Sequence, residues 1–192
     1  MRKLFILAAV LALLFCTACG KEEVTVEEVK AVLPSLVEKS FVLNEIYFGE
    51  GFLPNADAEE SEVSGYYYAD SMAQGFASIS EIKDATEEVF TPEYAAILYA
   101  SAFDGMHTET AVVAPRYIEG EMGILQSMQA TVYALPDRVY DFDTVEIVSG
   151  DAERTTVSVE TVADGEAVTV KLLLVRTESA DGYVYRLDSP TY

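Results

Sequence analysis

The chain's one histidine, His107, lies between Asp104 and Glu109 in a stretch without periodicity. An imidazole near carboxylates is a pattern that general acid–base catalysis uses. It works only in a cleft and beside a fixed partner, and a lone loop histidine more commonly titrates in solvent. A single histidine also excludes a two-histidine zinc site. Ser80 and Lys83 have the spacing of a serine–lysine acylating pair, but the companion Ser-Asp-Asn and Lys-Thr-Gly elements do not occur. Ser78 and Glu81 explain the same stretch as a helix cap. There is no Gly-x-Ser-x-Gly elbow either. The expected class is therefore non-enzymatic, with no catalytic residue and no cofactor.

The carboxylates give a different reading. Asn55, Asp57 and Glu59 alternate like the first ligands of a calcium loop. Glu60 stands where that loop needs glycine and Tyr66 where it needs glutamate, so the pattern fails and no metal site is assigned. Asp137, Asp141 and Asp143 suit a turn and a strand entry. Asp57, Glu59, Glu60 and Glu62 together form an acidic loop, the candidate surface for a basic partner. The whole chain sets 33 acidic against 12 basic side chains, a formal charge of −21. That balance disfavours nucleic acid, which is bound by neutralising phosphates, and it repels anionic lipid head groups. It favours either plain solvation or steering towards a basic protein of the cell envelope. Twelve tyrosines and no tryptophan are present. Tyr66–Tyr68, Tyr133, Tyr140, Tyr183 and Tyr185 could line a pocket or a peptide-binding face, or fill half-buried strand positions. Arg116 and Arg186 are expected to pair internally with carboxylates, a ligand carboxylate being the alternative.

Residues 1–19 carry Arg2 and Lys3, an apolar run from Leu4 to Phe15, and then Cys16-Thr17-Ala18-Cys19-Gly20. Positive charge, a short apolar core and small residues before a break make a secretory signal peptide. The run is shorter than the roughly 20 apolar residues of a permanent span. Thr17-Ala18-Cys19-Gly20 resembles the lipobox of bacterial lipoproteins, with Cys16 where that motif usually has leucine. The resemblance implies cleavage before Cys19 and lipidation of its sulfur. A cut before Cys16 would instead put bulky Leu14 and Phe15 at the small-residue positions. The expected organisation is a signal peptide over 1–18, a lipidated N-terminus and short linker over 19–24, and one domain over 25–192. The body would then be tethered to the extracytoplasmic face of a bacterial membrane by its lipid. Cys16 and Cys19 are the only cysteines, so the body holds neither a disulfide nor a cysteine metal site.

Thr25 and Glu28 have capping-box spacing, and Val29, Val32, Leu33, Leu36, Leu43, Ile46 and Tyr47 follow at helical period. Pro34 should kink this helix or divide it in two. Tyr66–Tyr68 fits a short strand or the start of a helix. Ser78 and Thr91-Pro92 open two further helices, the last stopping at Asp104-Gly105, and 106–115 reads as a loop. From Arg116 the period changes to alternation, giving strands over 116–119, 124–128, 131–135, 142–148, 155–162, 168–176 and 183–188. Asp164-Gly165 between alternating runs marks a hairpin. Helices first and a meander afterwards argue for an α+β fold, with N-terminal helices packed on a C-terminal antiparallel β-meander.

That order resembles the NTF2-like or cystatin-like cone, in which the meander curves around the helices. The segments Arg116-Tyr117-Ile118-Glu119, Arg138 to Asp143 and Tyr185 to Tyr192 are also similar to small lipoproteins of Gram-positive, Clostridia-type bacteria. Some of these resemble the DL-endopeptidase inhibitor family, which restrains cell-wall hydrolases. The resemblance implies a tethered binding or regulatory module acting towards wall enzymes. Its alternative is an NTF2-like small-molecule binder or enzyme using the cone pocket. A solute-binding lipoprotein of two α/β lobes is disfavoured, since βαβ alternation is missing. In a Gram-positive host, Cys19→Ala should abolish labelling by a fatty-acid probe and release the protein from the membrane fraction. Equal labelling of both forms would refute the lipidation.

Overall fold

The computed structural model describes residues 22–58, 60–107 and 112–192, so Cys19, Glu59 and Glu109 lie outside the described residues. Helix α1 covers Val26–Tyr47 and opens with a reciprocal capping box. The Thr25 amide donates to Glu28 Oε2 at 2.8 Å, and the Glu28 amide donates to Thr25 Oγ1 at 3.2 Å. Pro34 does not divide this helix, which runs as one element of 22 residues. The bond that proline removes is outweighed by burial on both sides of it: Val29, Leu33, Val37, Leu43 and Ile46 are each at most 2% exposed.

Strand β1 (Tyr66–Tyr68) resolves the tyrosine run as a strand, with a buried–intermediate–buried alternation. Helices α2 (Ile79–Val89) and α3 (Pro92–Tyr99) follow, each capped as the sequence implies. Ser78 Oγ accepts from the Glu81 amide at 3.3 Å, and Pro92 takes the first helical turn behind Thr91. A wider turn over Ala100–Asp104 ends α3. The expected loop over 106–115 contains a small hairpin of β2 (Met106–His107) and β3 (Val112–Val113). Then come β4 (Tyr117–Gly120), β5 (Gly123–Ser127), β6 (Arg138–Gly150), β7 (Arg154–Ala163), β8 (Glu166–Ser179) and β9 (Gly182–Leu187).

The strands form an antiparallel three-stranded sheet, β1-β5-β4, and an antiparallel four-stranded meander, β6-β7-β8-β9. The fold is α+β, with N-terminal helices packed on the C-terminal meander. Asp164 and Gly165 both take positive φ, 50° and 85°, as a two-residue hairpin between right-twisted strands requires. One expected strand is absent. Residues 131–135 belong to no strand, and Thr131, Val132 and Tyr133 are all exposed. Alternation alone does not make a strand when no ladder partner lies alongside. Conversely β6 begins at Arg138 rather than Phe142, pairing from Arg138↔Ala163 onward past a bulge between Asp141 and Glu146.

Alternation in the meander buries Val157, Val159, Leu172, Leu174 and Leu187, each at most 1% exposed, in one core with the α1 stripe. After β9 the chain returns across α1. Thr191 is 1% exposed, and its Oγ1 meets Ser40 Oγ at 2.6 Å and accepts from Asn44 Nδ2 at 2.9 Å. Its carbonyl accepts from the Tyr140 hydroxyl at 2.9 Å. Thr191→Val keeps the shape but strands the buried Asn44 amide, while Ser40 keeps its bond to the Val37 carbonyl and loses one from Thr191. It should cost about 2 kcal/mol in urea unfolding, the usual penalty for buried groups left unpaired. A change below about 0.5 kcal/mol would show that water replaces the bond.

Candidate binding cleft

The C-terminal end of α1 is fixed by side chains from the three-stranded sheet. The Tyr117 hydroxyl donates to the Ile46 carbonyl at 2.7 Å, and its side chain is fully buried. That burial pushes the phenol up to about 12. Beyond the helix, Gly51 has φ 76°, and a Cβ there would collide with the Tyr117 hydroxyl and the Gln126 amide. Gln126 completes this corner: its Oε1 accepts from the Phe52 amide at 2.8 Å, and its Nε2 donates to the Glu50 carbonyl at 2.8 Å.

Arg116, 6% exposed, ties the corner to the segment crossing from β5 to β6. Its Nε donates to the Tyr117 hydroxyl at 3.1 Å, its Nη1 to the Thr131 carbonyl at 2.8 Å, and its Nη2 to the Gly49 carbonyl. The Tyr133 amide donates to the Phe48 carbonyl at 2.8 Å, a second tie between the same parts. These bonds hold residues 129–136 as a wall, and they occupy the Thr131 carbonyl and the Tyr133 amide, two backbone groups that a strand could have paired.

Between that wall, the end of α1 and the β3 hairpin lies a cleft of about 520 Å³, within the usual range of ligand sites. Tyr47, Phe48, Val113, Tyr133, Leu135 and Tyr192 supply most of its apolar lining. Phe48 and Tyr192 are in ring contact, centroids 4.8 Å apart. Tyr133, at 58% exposed, and Val113, at 52%, leave apolar surface open to an occupant. A second hollow of about 350 Å³ shares Leu135, Pro136 and Tyr192 and adds Phe41, Asn44, Glu45, Asp137 and Arg138. Burial raises the Tyr47 phenol well above its ordinary range, so at neutral pH it is a hydrogen-bond donor and not a base. The arrangement suits binding of a molecule with an apolar body.

The residues singled out in the sequence are dispersed. His107 has its backbone in β2, paired with Val112, next to the cleft residue Val113; nothing is described of its side chain. Asp104 is exposed at the end of the wide turn. Ser80 is exposed on α2, while the Lys83 ammonium sits 5.1 Å from the Tyr99 ring centre and 5.2 Å from that of Phe103. Serine and lysine thus have separate surroundings, and the capping role belongs to Ser78.

In the acidic loop Asp57 and Glu60 are exposed, and the Asp57 amide donates to Asn55 Oδ1 at 3.0 Å. Glu62 is committed elsewhere. It accepts from the Tyr68 hydroxyl at 2.6 Å and from the Glu121 amide at 3.1 Å, and the phenol's bond holds its carboxyl below the ordinary range. No metal-holding group of three His, Cys, Asp or Glu occurs among the described residues. Asp141 caps the β6 bulge, its Oδ1 accepting from the Asp143 amide at 3.1 Å.

Tyr66, Tyr67 and Tyr68 donate to Pro115 O, Phe52 O and Glu62 respectively, so their polar tips are spent within the fold. Tyr140 stacks on Phe142, and the Arg176 guanidinium lies 4.1 Å from the Tyr183 ring centre. Of the tyrosines named from sequence, Tyr133 reaches the cleft. The two arginines correct their expectation. Arg116 bonds carbonyl and phenol oxygens, and Arg186 Nε donates to the Glu87 carbonyl; neither makes a carboxylate pair among the described residues. Sequence reasoning missed Phe48, Val113 and Tyr192 as cleft residues. The available signal was the 131–135 run, apolar on both sides and ending at Pro136.

Arg116→Met should lower stability by about 3 kcal/mol, because it strands several oxygens that a charged donor had satisfied. Proteolysis should then cut between residues 128 and 137 before the rest of the body. Unchanged stability with no new cut would mean that Arg116 does not hold the wall. No protein-family model matches this chain, and a search of curated proteins finds no match.

Proposed function

We propose that the chain is a membrane-tethered extracytoplasmic binding module without catalysis of its own, whose ligand lies in the cleft at the end of α1. The observation that carries this reading is the pairing of an open, aromatic-walled cleft with a chain start secured at the opposite pole. Arg176, 4% exposed, donates from Nη2 to the Glu22 carbonyl and from Nε to the Ala152 carbonyl at 2.8 Å. Its Nη1 lies 3.7 Å from Glu28 Oε1, beside the first turn of α1. A helix of 22 residues rises about 33 Å, so the cleft stands roughly that far from this clamp. Three residue-to-residue steps lead from Cys19 to Glu22, a reach of about 10 Å. A lipid on Cys19 would therefore hold the clamped pole at the membrane and turn the cleft away from it.

The cone-pocket alternative is less well supported. Leu33, Val157, Leu172 and Leu174 fill the space between α1 and the meander, each at most 1% exposed. Room for a ligand lies past the end of the helix instead. Asp57 and Glu60 keep the acidic loop available to a basic envelope protein, wall enzymes being the class that the resemblance implies. No helix among the described residues is long and apolar enough to cross a membrane.

The cleft is tested with an uncharged naphthalene fluorophore. Its emission should rise on binding, and Val113→Asp should weaken it at least tenfold, because the ligand would have to desolvate a carboxylate. His107→Ala should leave the affinity within twofold. Binding unaffected by Val113→Asp, or a turnover activity lost with His107, would refute this reading.

A further inference from the structure

We propose that the polar end of the cleft receives a zwitterionic head, and that the ligand is an apolar amino acid or a dipeptide of apolar residues. This rests on the reading of the cleft as a binding site. The second hollow contains one guanidinium, Arg138, and two carboxylates, Glu45 and Asp137, with the aromatic wall continuing through Phe41, Leu135 and Tyr192. Arg154 pairs with Asp188 and Arg176 with Glu28, whereas Arg138, like Arg116 and Arg186, has no ion pair among the described residues. Its Nε is buried without a hydrogen-bond partner. That nitrogen is closed off and the guanidinium neighbours the Tyr140 hydroxyl, so a ligand would meet the part of Arg138 that lines the hollow. The planar guanidinium matches a carboxylate in two parallel bonds.

The neighbours narrow the class. A simple anion on Arg138 would face the repulsion of Glu45 and Asp137, and a simple cation on those acids would face Arg138. An uncharged molecule would gain nothing from these charges, of which Glu45 and Asp137 are exposed and otherwise met by solvent. A carboxylate and an ammonium on one small molecule satisfy both signs, and its apolar body would continue past Leu135 and Tyr192 into the larger cleft.

The scaffold around this end is rigid before any ligand arrives. The Asp137 amide donates to Asp164 Oδ1 at 2.9 Å and the Asp164 amide to the Asp137 carbonyl at 2.9 Å, which fixes the approach to β6. Thr191, held by Ser40, Asn44 and Tyr140, fixes the opposite side. Positioning of this kind lowers the ordering cost of binding.

Titration calorimetry of the full chain uses phenylalanine and phenylalanyl-phenylalanine as the two sources of the head. Phenylalaninamide (no carboxylate), N-acetylphenylalanine (no ammonium) and toluene serve as comparisons. The tighter of the two zwitterions should bind at least tenfold more tightly than each single-charge analogue, and it identifies whether the free amino acid or the dipeptide is preferred. Arg138→Gln should erase the preference over phenylalaninamide, and Arg138→Lys should restore part of it. Asp137→Asn combined with Glu45→Gln should erase the preference over N-acetylphenylalanine. In every variant, unchanged affinity for the uncharged fluorophore shows that the cleft still folds. Equal affinity for toluene, phenylalanine and the dipeptide, or indifference to Arg138→Gln, would overturn the zwitterion proposal and leave the cleft reading standing. Failure of the fluorophore and every other ligand to bind would overturn both.

Discussion

A guanidinium buried among neutral oxygens holds this molecule's cleft together. Arg116 is 6% exposed and donates to a phenol and two carbonyls rather than to a carboxylate. Taking a charge out of water is costly unless its donors are met, and here the planar fork meets three oxygens from three parts of the chain. Those parts are the exit from α1, the start of β4 and the 129–136 crossing. The charge thereby specifies a shape that apolar packing would leave loose. The crossing makes only this contact and the Tyr133–Phe48 backbone bond as firm ties to the corner, so without Arg116 it would have little reason to stand clear of the helix end.

A second arginine does comparable work at the other pole. Arg176 gathers the Glu22 and Ala152 carbonyls and lies against the Tyr183 ring. The Glu28 carboxyl beside it is held below its ordinary range first by the Thr25 bonds of the capping box and then by the Arg176 charge. The start of α1 is thus fixed by a cap and a clamp together. Between the two arginines runs one continuous helix, whose inner stripe is packed on the meander. A rigid rod fixed at both ends separates the start of the body from the cleft, and its length is set by the run of apolar positions in the sequence.

Much of this was legible in the residues. The capping box, the Thr91-Pro92 entry, the Asp164-Gly165 turn and the change of period at Arg116 are local signals, and each led to the right element. Three features were not local. Whether Pro34 splits a helix depends on how much surface is buried on both sides of it. Whether 131–135 is a strand depends on a neighbour, and its backbone partners come from Phe48 and from an arginine side chain fifteen residues away. Whether an arginine pairs with a carboxylate depends on which carbonyls the fold brings to it. The acidic loop shows the same limit from the other side. Four carboxylates close in sequence look equivalent, yet Glu62 is spent on Tyr68 and Glu121 while Asp57 and Glu60 face solvent. Most of the cleft was illegible for this reason, since it is assembled from α1, β3, the crossing and the last residue of the chain.

The missing strand also explains why a cleft exists at all. Had residues 131–135 joined the edge of either sheet, Val132 and Tyr133 would have gained ladder partners and the space beside Phe48 would have closed. The segment instead ends at Pro136, which has no amide to donate, and turns through Asp137 into β6. It remains unpaired in any sheet and tied at two points, with Tyr133 and Leu135 lining the cleft. That choice sacrifices ladder bonds and leaves Val113 and Tyr133 more than half exposed. Departures from local consistency of this kind are expected at functional or strained sites. The unpaired wall, the open aromatics and the unmet Arg138 Nε are three such departures around the two adjoining hollows. In the rest of the described body most polar tips of the tyrosines are met by the protein itself, the buried Tyr185 hydroxyl beside Arg176 being an exception.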